Sequence, residues 1–258
     1  MSQYYTPHRS ASWNYGGDKW KLSRSKIDLF LGCPRCFYLD NKLGVKRPAG
    51  YPFNLNTAVD TLLKKEFDLH RVKGTQHILQ KEYKIDAIPI PHEDLDAWRH
   101  NFTGIQYLHP GTKMTISGAI DDLWQNSKEE YIVVDYKSTS INEDIKDIDK
   151  DWQASYKRQM EVYQWLLRQK GYPVSDTGYF VYCNGRTDKK AFDKKLEFDV
   201  TLISYIGNAD WVEGTIKDIH ECLNKKNIPR SDPECAYCQY RGAVEKVSKN
   251  KLWAGTLF

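Results

Sequence analysis

Residues 118–139, GAIDDLWQNSKEEYIVVDYKST, hold two apolar runs on either side of a polar stretch from Asn126 to Glu130. Runs of Ile, Leu, Trp, Val and Tyr bounded by Asn, Ser, Lys and Glu read as strands joined by a turn, so 115–124 and 131–137 are predicted to form a hairpin. Side chains alternate along a strand, which puts Asp135 and Lys137 on one face and Val134 and Tyr136 on the other. Asp121 and Asp122 face opposite sides of a regular strand, so at most one of them joins Asp135. A small carboxylate set is what a hard divalent ion such as Mg²⁺ or Mn²⁺ uses, completed by water and substrate phosphate. An ammonium beside it can steady a hydroxide or the charge developing on a phosphate. Taken alone, a D-x-K pair is far more often an exposed pair at a strand end.

Working outward, residues 151–169 lack Pro and Gly and carry Tyr156, Met160, Tyr163, Leu166 and Leu167 at helical spacing, so a helix follows the hairpin. Further strands are expected over 178–183 and 189–200, joined through a turn at Asn184-Gly185, and then a helix over 201–224. Before the hairpin, 78–88 reads as a strand. A helix is predicted over 56–70, with Val59, Leu62, Leu63 and Phe67 on its buried side and Asp60 and Glu66 riding on it. Ser23 can cap a helix carrying Ile27, Phe30 and Leu31, with Cys33 and Cys36 near its end and Pro34 starting another turn. Residues 1–20, with Tyr4, Tyr5, Trp13, Tyr15 and Trp20, show no period and read as an arm, leaving 21–258 as one α/β domain.

The composition excludes several classes. A chain of 258 residues with 40% hydrophobic and 13% aromatic residues can bury a core without disulfide staples and is not disordered. No stretch approaches 18 apolar residues and the first residues lack a secretory layout, so the chain reads as cytoplasmic, with no membrane association. A net charge of +4 permits nucleic-acid binding without demanding it. Lys46, Arg47, Lys64, Lys65, Lys189, Lys190, Lys194 and Lys195 offer basic clusters for substrate, and the aromatic arm offers stacking surfaces, although most such lysines in proteins are simply solvated.

Four of the six cysteines form two C-x-x-C pairs, Cys33 with Cys36 and Cys235 with Cys238. In a reducing compartment that spacing reads as a metal or cluster site rather than a disulfide framework, and four thiolates suit Zn²⁺ and a 4Fe-4S cluster equally. Cys183 and Cys222 fall on apolar patterns and read as core thiols.

Taken in order, CPRCFYL, GAID, VVDYKST, QMEVY and CAYC resemble the PD-(D/E)XK nuclease superfamily. More narrowly, over residues 22–241 they are similar to its RecB-like branch and to the CRISPR adaptation nucleases and helicase-nucleases that carry a 4Fe-4S cluster. The resemblance implies a restriction-endonuclease-like α/β fold: a mixed central sheet flanked by helices, with N- and C-terminal segments joined by the four-cysteine site. It implies an Mg²⁺- or Mn²⁺-dependent deoxyribonuclease acting on single-stranded DNA or DNA ends in repair, recombination or CRISPR adaptation, with DNA and a helicase or integrase complex as partners. Carried over by motif, Asp121 and Asp135 are metal-binding carboxylates, Lys137 is the catalytic lysine, and Gln159 and Tyr163 match a Q-x-x-x-Y that braces the lysine or touches DNA. Where the branch places a metal-binding histidine, NTAVDTLLKKEF has Asp60, which can ligate Mg²⁺; Glu66 is the alternative. Related cluster-bearing nucleases take one cysteine from the first helix and three from the C-terminal region, whereas here the split is two and two; the resemblance favours the cluster, with Zn²⁺ the alternative. A non-catalytic DNA-binding or assembly module with the same fold is the competing reading. A zinc-stabilised RNA-binding protein is a third, and it leaves the carboxylates and lysine unexplained.

Overall fold

The polar stretch turns the chain because Asn126 replaces missing backbone partners: its Oδ1 accepts the N–H groups of Lys128 and Glu130 at 3.0 and 2.9 Å, and Glu129 takes up a left-handed conformation with φ of 62°. The computed structural model describes residues 10–48, 50 and 53–249. In chain order the elements are β1 (Leu22–Ser23), α1 (Arg24–Gly32), α2 (Pro34–Asn41), α3 (Asn54–Lys73), α4 (Ile78–Glu82), β2 (Ile88–Pro89), α5 (Leu95–Arg99), β3 (Ile105–Leu108), β4 (Thr115–Gly118), β5 (Asp122–Gln125), β6 (Tyr131–Thr139), α6 (Ala154–Gln169), β7 (Thr177–Gly185), β8 (Phe198–Ile206), α7 (Asp210–Asn224) and α8 (Ala236–Lys249). Among the described residues no helix is long and apolar enough to cross a membrane. Tyr4 and Tyr5 of the expected arm lie outside them.

Two compact units make up the chain, one of Tyr51–Glu213 and one of Met1–Gly50 with Gly214–Phe258. The first contains a five-stranded sheet of order β2-β5-β6-β7-β8, parallel only between β6 and β7, which makes it a mixed sheet flanked by helices, as expected. Alternation along β6 decides which helix covers which face. Ile132, Val134 and Tyr136 pack with Leu63 and Phe67 of α3, Trp124, and Val181 and Cys183 of β7. The opposite register points Asp135 and Lys137 at Gln159 of α6. Helix α6 lies close because two glycines face it: a Cβ on Gly118 would come within 2.6 Å of the Tyr163 ring, and one on Gly178 within 2.3 Å of Met160 Sδ.

In the other unit, Pro34 starts α2 immediately after α1, as its fixed φ favours. Trp20 Nε1 donates to Asn41 Oδ1 at 3.0 Å, and Tyr15 meets the Trp20 ring edge-on at 5.1 Å. Lys42 Nζ donates to the carbonyls of Leu223 and Lys225, satisfying the C-terminal end of α7 where a cation is also favoured by the helix dipole.

Several expectations are corrected. The segment 78–88 begins as helix over Ile78–Glu82 and reaches a strand only at Ile88, because His77 accepts the Leu79 N–H while Gln80 Oε1 accepts that of His77; this capping outweighs the β propensity of the isoleucines. The strand expected over 115–124 divides into β4, paired with β3, and β5, paired with β6, since the Ile120 N–H leaves the ladder for the Trp98 carbonyl at 3.2 Å. Asn184-Gly185 is no turn: both residues lie in β7, opposite Asp199 and Phe198, and the Asn184 side chain holds the backbone of Ile141. The second strand is therefore 198–206 rather than 189–200, and the helix begins at Asp210 rather than residue 201. Leu62 is 63% exposed, off the buried face of α3 that keeps Leu63 and Phe67. Elements β3 and α5 were not anticipated. The segment carrying Cys235 and Cys238 continues as helix α8 rather than a short tail.

Candidate functional site

Asp135 is fully buried on β6 and pairs with Lys137 two residues along the same face. Gln159, one face of α6 above them, engages both: its Nε2 donates to Asp135 Oδ1 at 2.7 Å and its Oε1 accepts from Lys137 Nζ at 3.4 Å. The same Nε2 lies 3.1 Å from the hydroxyl of Tyr163, one helical turn on, whose ring sits over Gly118. The Q-x-x-x-Y pair is thus tied to the strand end, and Lys137 Nζ also stands 4.7 Å from the centre of the Tyr156 ring.

Asp60 and Asp121 meet around a different cation. Lys64 Nζ lies 2.8 Å from Asp60 Oδ2 and 3.3 Å from Asp121 Oδ1, while the second oxygen of Asp121 accepts the Tyr136 N–H at 2.9 Å. Burial and the neighbouring Asp121 charge raise the Asp60 carboxyl above its ordinary value. Burial works against the Lys64 ammonium, yet Asp121 and Asp60 outweigh it and raise its pKa. Asp60, Lys64, Arg99, Asp121, Lys137 and Tyr156 line one cleft of about 490 Å³. Asp135 is not on its wall, and the three aspartates are not among the residue groups whose ligand atoms all lie within 4.8 Å of one another. Glu66 pairs instead with His77 at 2.8 Å. Lys64, which the sequence suggests only as part of a basic cluster for substrate, is a member of the carboxylate site.

Asp122 goes to the other side and is entirely buried. It accepts from Arg71, from Arg99 Nη2 at 2.7 Å, from the Tyr136 hydroxyl at 2.8 Å and from Trp124 Nε1 at 3.2 Å. Burial and this carboxylate hold the Tyr136 phenol well above its ordinary pKa. Two arginines and two aromatic donors around one carboxylate make a structural knot beneath the cleft. No sequence spacing announces it, because Arg71 and Arg99 come from separate elements.

In the unit formed by the chain's two end segments, Cys33, Cys36, Cys235 and Cys238 bring all four sulfurs within 4.8 Å of one another. Cys36 lies 3.7 Å from Cys235 and 3.6 Å from Cys238, and Cys33 lies 3.9 Å from Cys238. Four thiolates about 2.3 Å from a single tetrahedral ion stand roughly 3.8 Å apart, which matches these spacings. A 4Fe-4S cluster, in which each thiolate binds a different iron, needs them moved outward. Burial opposes ionisation of Cys33, but the N–H groups of Cys36 and Asp232 outweigh it and bring the thiol down to about 7. Arg47 Nη2 donates to Cys235 Sγ at 3.2 Å while its guanidinium rests 4.7 Å from the Tyr237 ring centre, setting a fixed positive charge beside the thiolates. Cys183 and Cys222 are buried apart from this site, as expected of core thiols.

No curated protein matches the chain. Among solved structures, SSO0001 is similar at 16% identity over 86% of this chain and 84% of its own, with a TM-score of 0.42, too distant a likeness to carry an argument. The family model of the PD-(D/E)XK nuclease superfamily matches residues 54–243, a span that holds the hairpin, Asp60, Asp121, Asp135, Lys137, Gln159 and Tyr163. With nearly three quarters of its length in that match and a mixed sheet carrying the D-x-K strand, the chain belongs to the PD-(D/E)XK nuclease superfamily.

Proposed function

We propose that the protein is an Mg²⁺- or Mn²⁺-dependent deoxyribonuclease of the RecB-like branch, hydrolysing single-stranded DNA or DNA ends, with roles in repair, recombination or CRISPR adaptation and with a helicase or integrase complex as partner. The observation that carries this reading is the Lys64 ammonium standing between Asp60 and Asp121. It marks a place where two carboxylates already hold positive charge at the wall of an open cleft, and Mg²⁺ is commonly held by one or two carboxylates with water and substrate phosphate completing the shell.

Asp60 and Asp121 would hold the ion, which would supply polarisation of a phosphate oxygen and a lowered pKa for an attacking water; Asp135, expected as a third ligand, is engaged by Lys137 and Gln159 off the cleft wall. The remaining work falls to this chain's side chains. Lys137, facing the same cleft, offers its ammonium to the charge that develops on the phosphate. Asp135 and Gln159 fix the rotamer of Lys137, and Tyr163 fixes Gln159. Arg99, its donors held by Asp68 and Asp122, adds positive potential at the cleft wall without being free to swing. For the four-cysteine site we propose a structural metal; the thiolate spacing favours one tetrahedral Zn²⁺ over the 4Fe-4S cluster. Iron with visible absorption in anaerobically purified protein would reverse that choice, since d¹⁰ zinc is colourless.

Labelled single- and double-stranded DNA incubated with and without Mn²⁺ tests the reading. Cleavage is expected only with the ion, and Lys137→Ala and Asp121→Asn are each expected to lower it about 100-fold or more. Asp121→Asn should leave the melting temperature close to that of the parent, whereas Lys137→Ala also strips the buried Asp135 of its partner and should lower it. Cleavage that persists in a chelator, or that survives either substitution, would overturn it.

A further inference from the structure

Next to the charged cleft lies another of about 410 Å³, whose lining includes Phe53, Leu55, Tyr156, Leu196 and Phe198 together with Ser138, Thr139 and Ser140 at the end of β6. The two have Phe53, Asn56, Val59, Ser138 and Tyr156 in common among their lining residues, so they are immediate neighbours. Their chemistry differs sharply. The first carries Asp60, Lys64, Arg99, Asp121 and Lys137; no residue lining the second is charged.

Phe53 is 76% exposed and Leu55 59% exposed at the start of α3, an apolar lip. Asn56 Nδ2 donates to the Ser138 carbonyl at 2.8 Å and Ser140 Oγ to that of Gly185 at 3.0 Å, so these two donors are engaged with backbone, while Ser138 and Thr139 add further hydroxyl-bearing side chains to the lining. Tyr156 lines both, with the Lys137 ammonium 4.7 Å from its ring centre. A charged compartment beside an uncharged one lined by aromatic and small polar side chains has the division of a nucleotide itself: phosphate on one side, planar base with hydrogen-bonding edges on the other.

We propose that the second cleft receives one unpaired nucleobase of single-stranded DNA, belonging to the nucleotide whose phosphate occupies the neighbouring carboxylate and lysine cleft. Phe53 and Tyr156 supply stacking faces, and the Ser138–Ser140 edge supplies partners for the base rim. A base paired in a duplex is stacked within the helix and cannot enter, so the cleft selects single strands and frayed ends. This inference rests on the nuclease reading for the position of the phosphate, and the binding arm of its test does not.

The first measurement is binding of fluorescent oligothymidylate to the full chain in a chelator, where no metal-dependent cleavage occurs. The parent is expected to bind the single strand at least 10-fold more tightly than a duplex of equal length, and Phe53→Ala to lose about 10-fold in single-strand affinity, in the range of one lost stacked base. Because Phe53 is on the surface, its removal is not expected to shift the melting temperature by more than a degree or two, and an unchanged melt accompanies a valid result. In the second measurement an abasic site is walked along an oligonucleotide in the presence of Mn²⁺. One position relative to the cleaved bond is expected to slow cleavage by the parent and to have no further effect on Phe53→Ala. Equal binding by parent and variant, or binding indifferent to strandedness, overturns the base pocket even if cleavage is seen. Loss of single-strand binding in Phe53→Ala without any cleavage by the parent supports the pocket and sinks the nuclease reading alone.

Discussion

Asp121 and Asp122 are neighbours with opposite fates, and substituting each by Asn should separate a site from a scaffold. Asp121 lies on the cleft wall, so Asp121→Asn should weaken divalent-ion binding while folding survives. Asp122 neutralises Arg71 and Arg99, which are 8% and 10% exposed at their side chains, so Asp122→Asn leaves buried guanidinium charge without its partner. A loss of about 3–5 kcal/mol in urea unfolding is expected, with ion affinity of the remaining folded protein little changed. A milder variant, with stability kept and ion binding lost, would show that the two carboxylates exchange roles. Cys183 allows a second test at this scale. Burial pushes its thiol from the ordinary 9.0 up to about 11, so native protein at pH 8 should resist alkylation there. The sign for stability follows: between pH 9 and about 11 the unfolded chain loses this proton and the folded chain keeps it, so folding weakens as pH rises through that window and the contribution is intact below it. Urea unfolding of the parent against Cys183→Ala across that window checks it, with a shallower fall expected in the variant.

Among the elements, α6 and the β5–β6 hairpin were readable because their patterns are long and consistent: sixteen residues at helical period in one case, and two apolar runs around an Asn-led turn in the other. Gln159 and Tyr163 could be placed on one face of α6 for that reason. That they brace the lysine follows only from the family resemblance, and the contacts with Asp135 and Gly118 arise through tertiary packing that no spacing announces. The 78–88 segment misleads because His77 and Gln80 cap a helix whose isoleucine-bearing sequence suits a strand, and the strand expected over 189–200 meets β8 only at 198–200 because the polar stretch before it forms a link rather than a ladder. Lys64 likewise carries no sequence mark that separates it from a solvated lysine; only the fold of α3 against the 119–121 segment makes it a counter-ion. The close approach of α6 yields its own prediction. Gly118→Ala drives a methyl into the Tyr163 ring, a strain of about 1–3 kcal/mol, which should lower the melting temperature by several degrees. Displacing Tyr163 also loosens Gln159, so cleavage per folded molecule should fall too; an unchanged melt with unchanged activity would mean α6 tolerates the shift without the bracing described.

For the whole chain, the four cysteines are the feature that joins residues far apart in sequence. With a metal in the four-cysteine site, as proposed, Cys235→Ser should release it and lower the melting temperature, because one of its four ligands is gone and a metal's binding energy is part of the folding energy. Cys222→Ser should leave elemental content as it was, since that thiol is buried elsewhere. Equal metal content in both variants would assign the ion to another site. The same separation has a consequence during synthesis. Cys36 and Cys235 are 199 positions apart, which at roughly 5–20 residues per second means about 10–40 s on the ribosome between the first pair of thiols and the second. Throughout that interval the nascent chain displays half a chelator, open to oxidation and to passing ions. Every residue of the candidate cleft, from Phe53 to Tyr156, is already made before the second half arrives. A product broken off before Cys235 can therefore carry the whole cleft and still never bring the four thiols together, so the thiolate site reports that synthesis has passed Cys238.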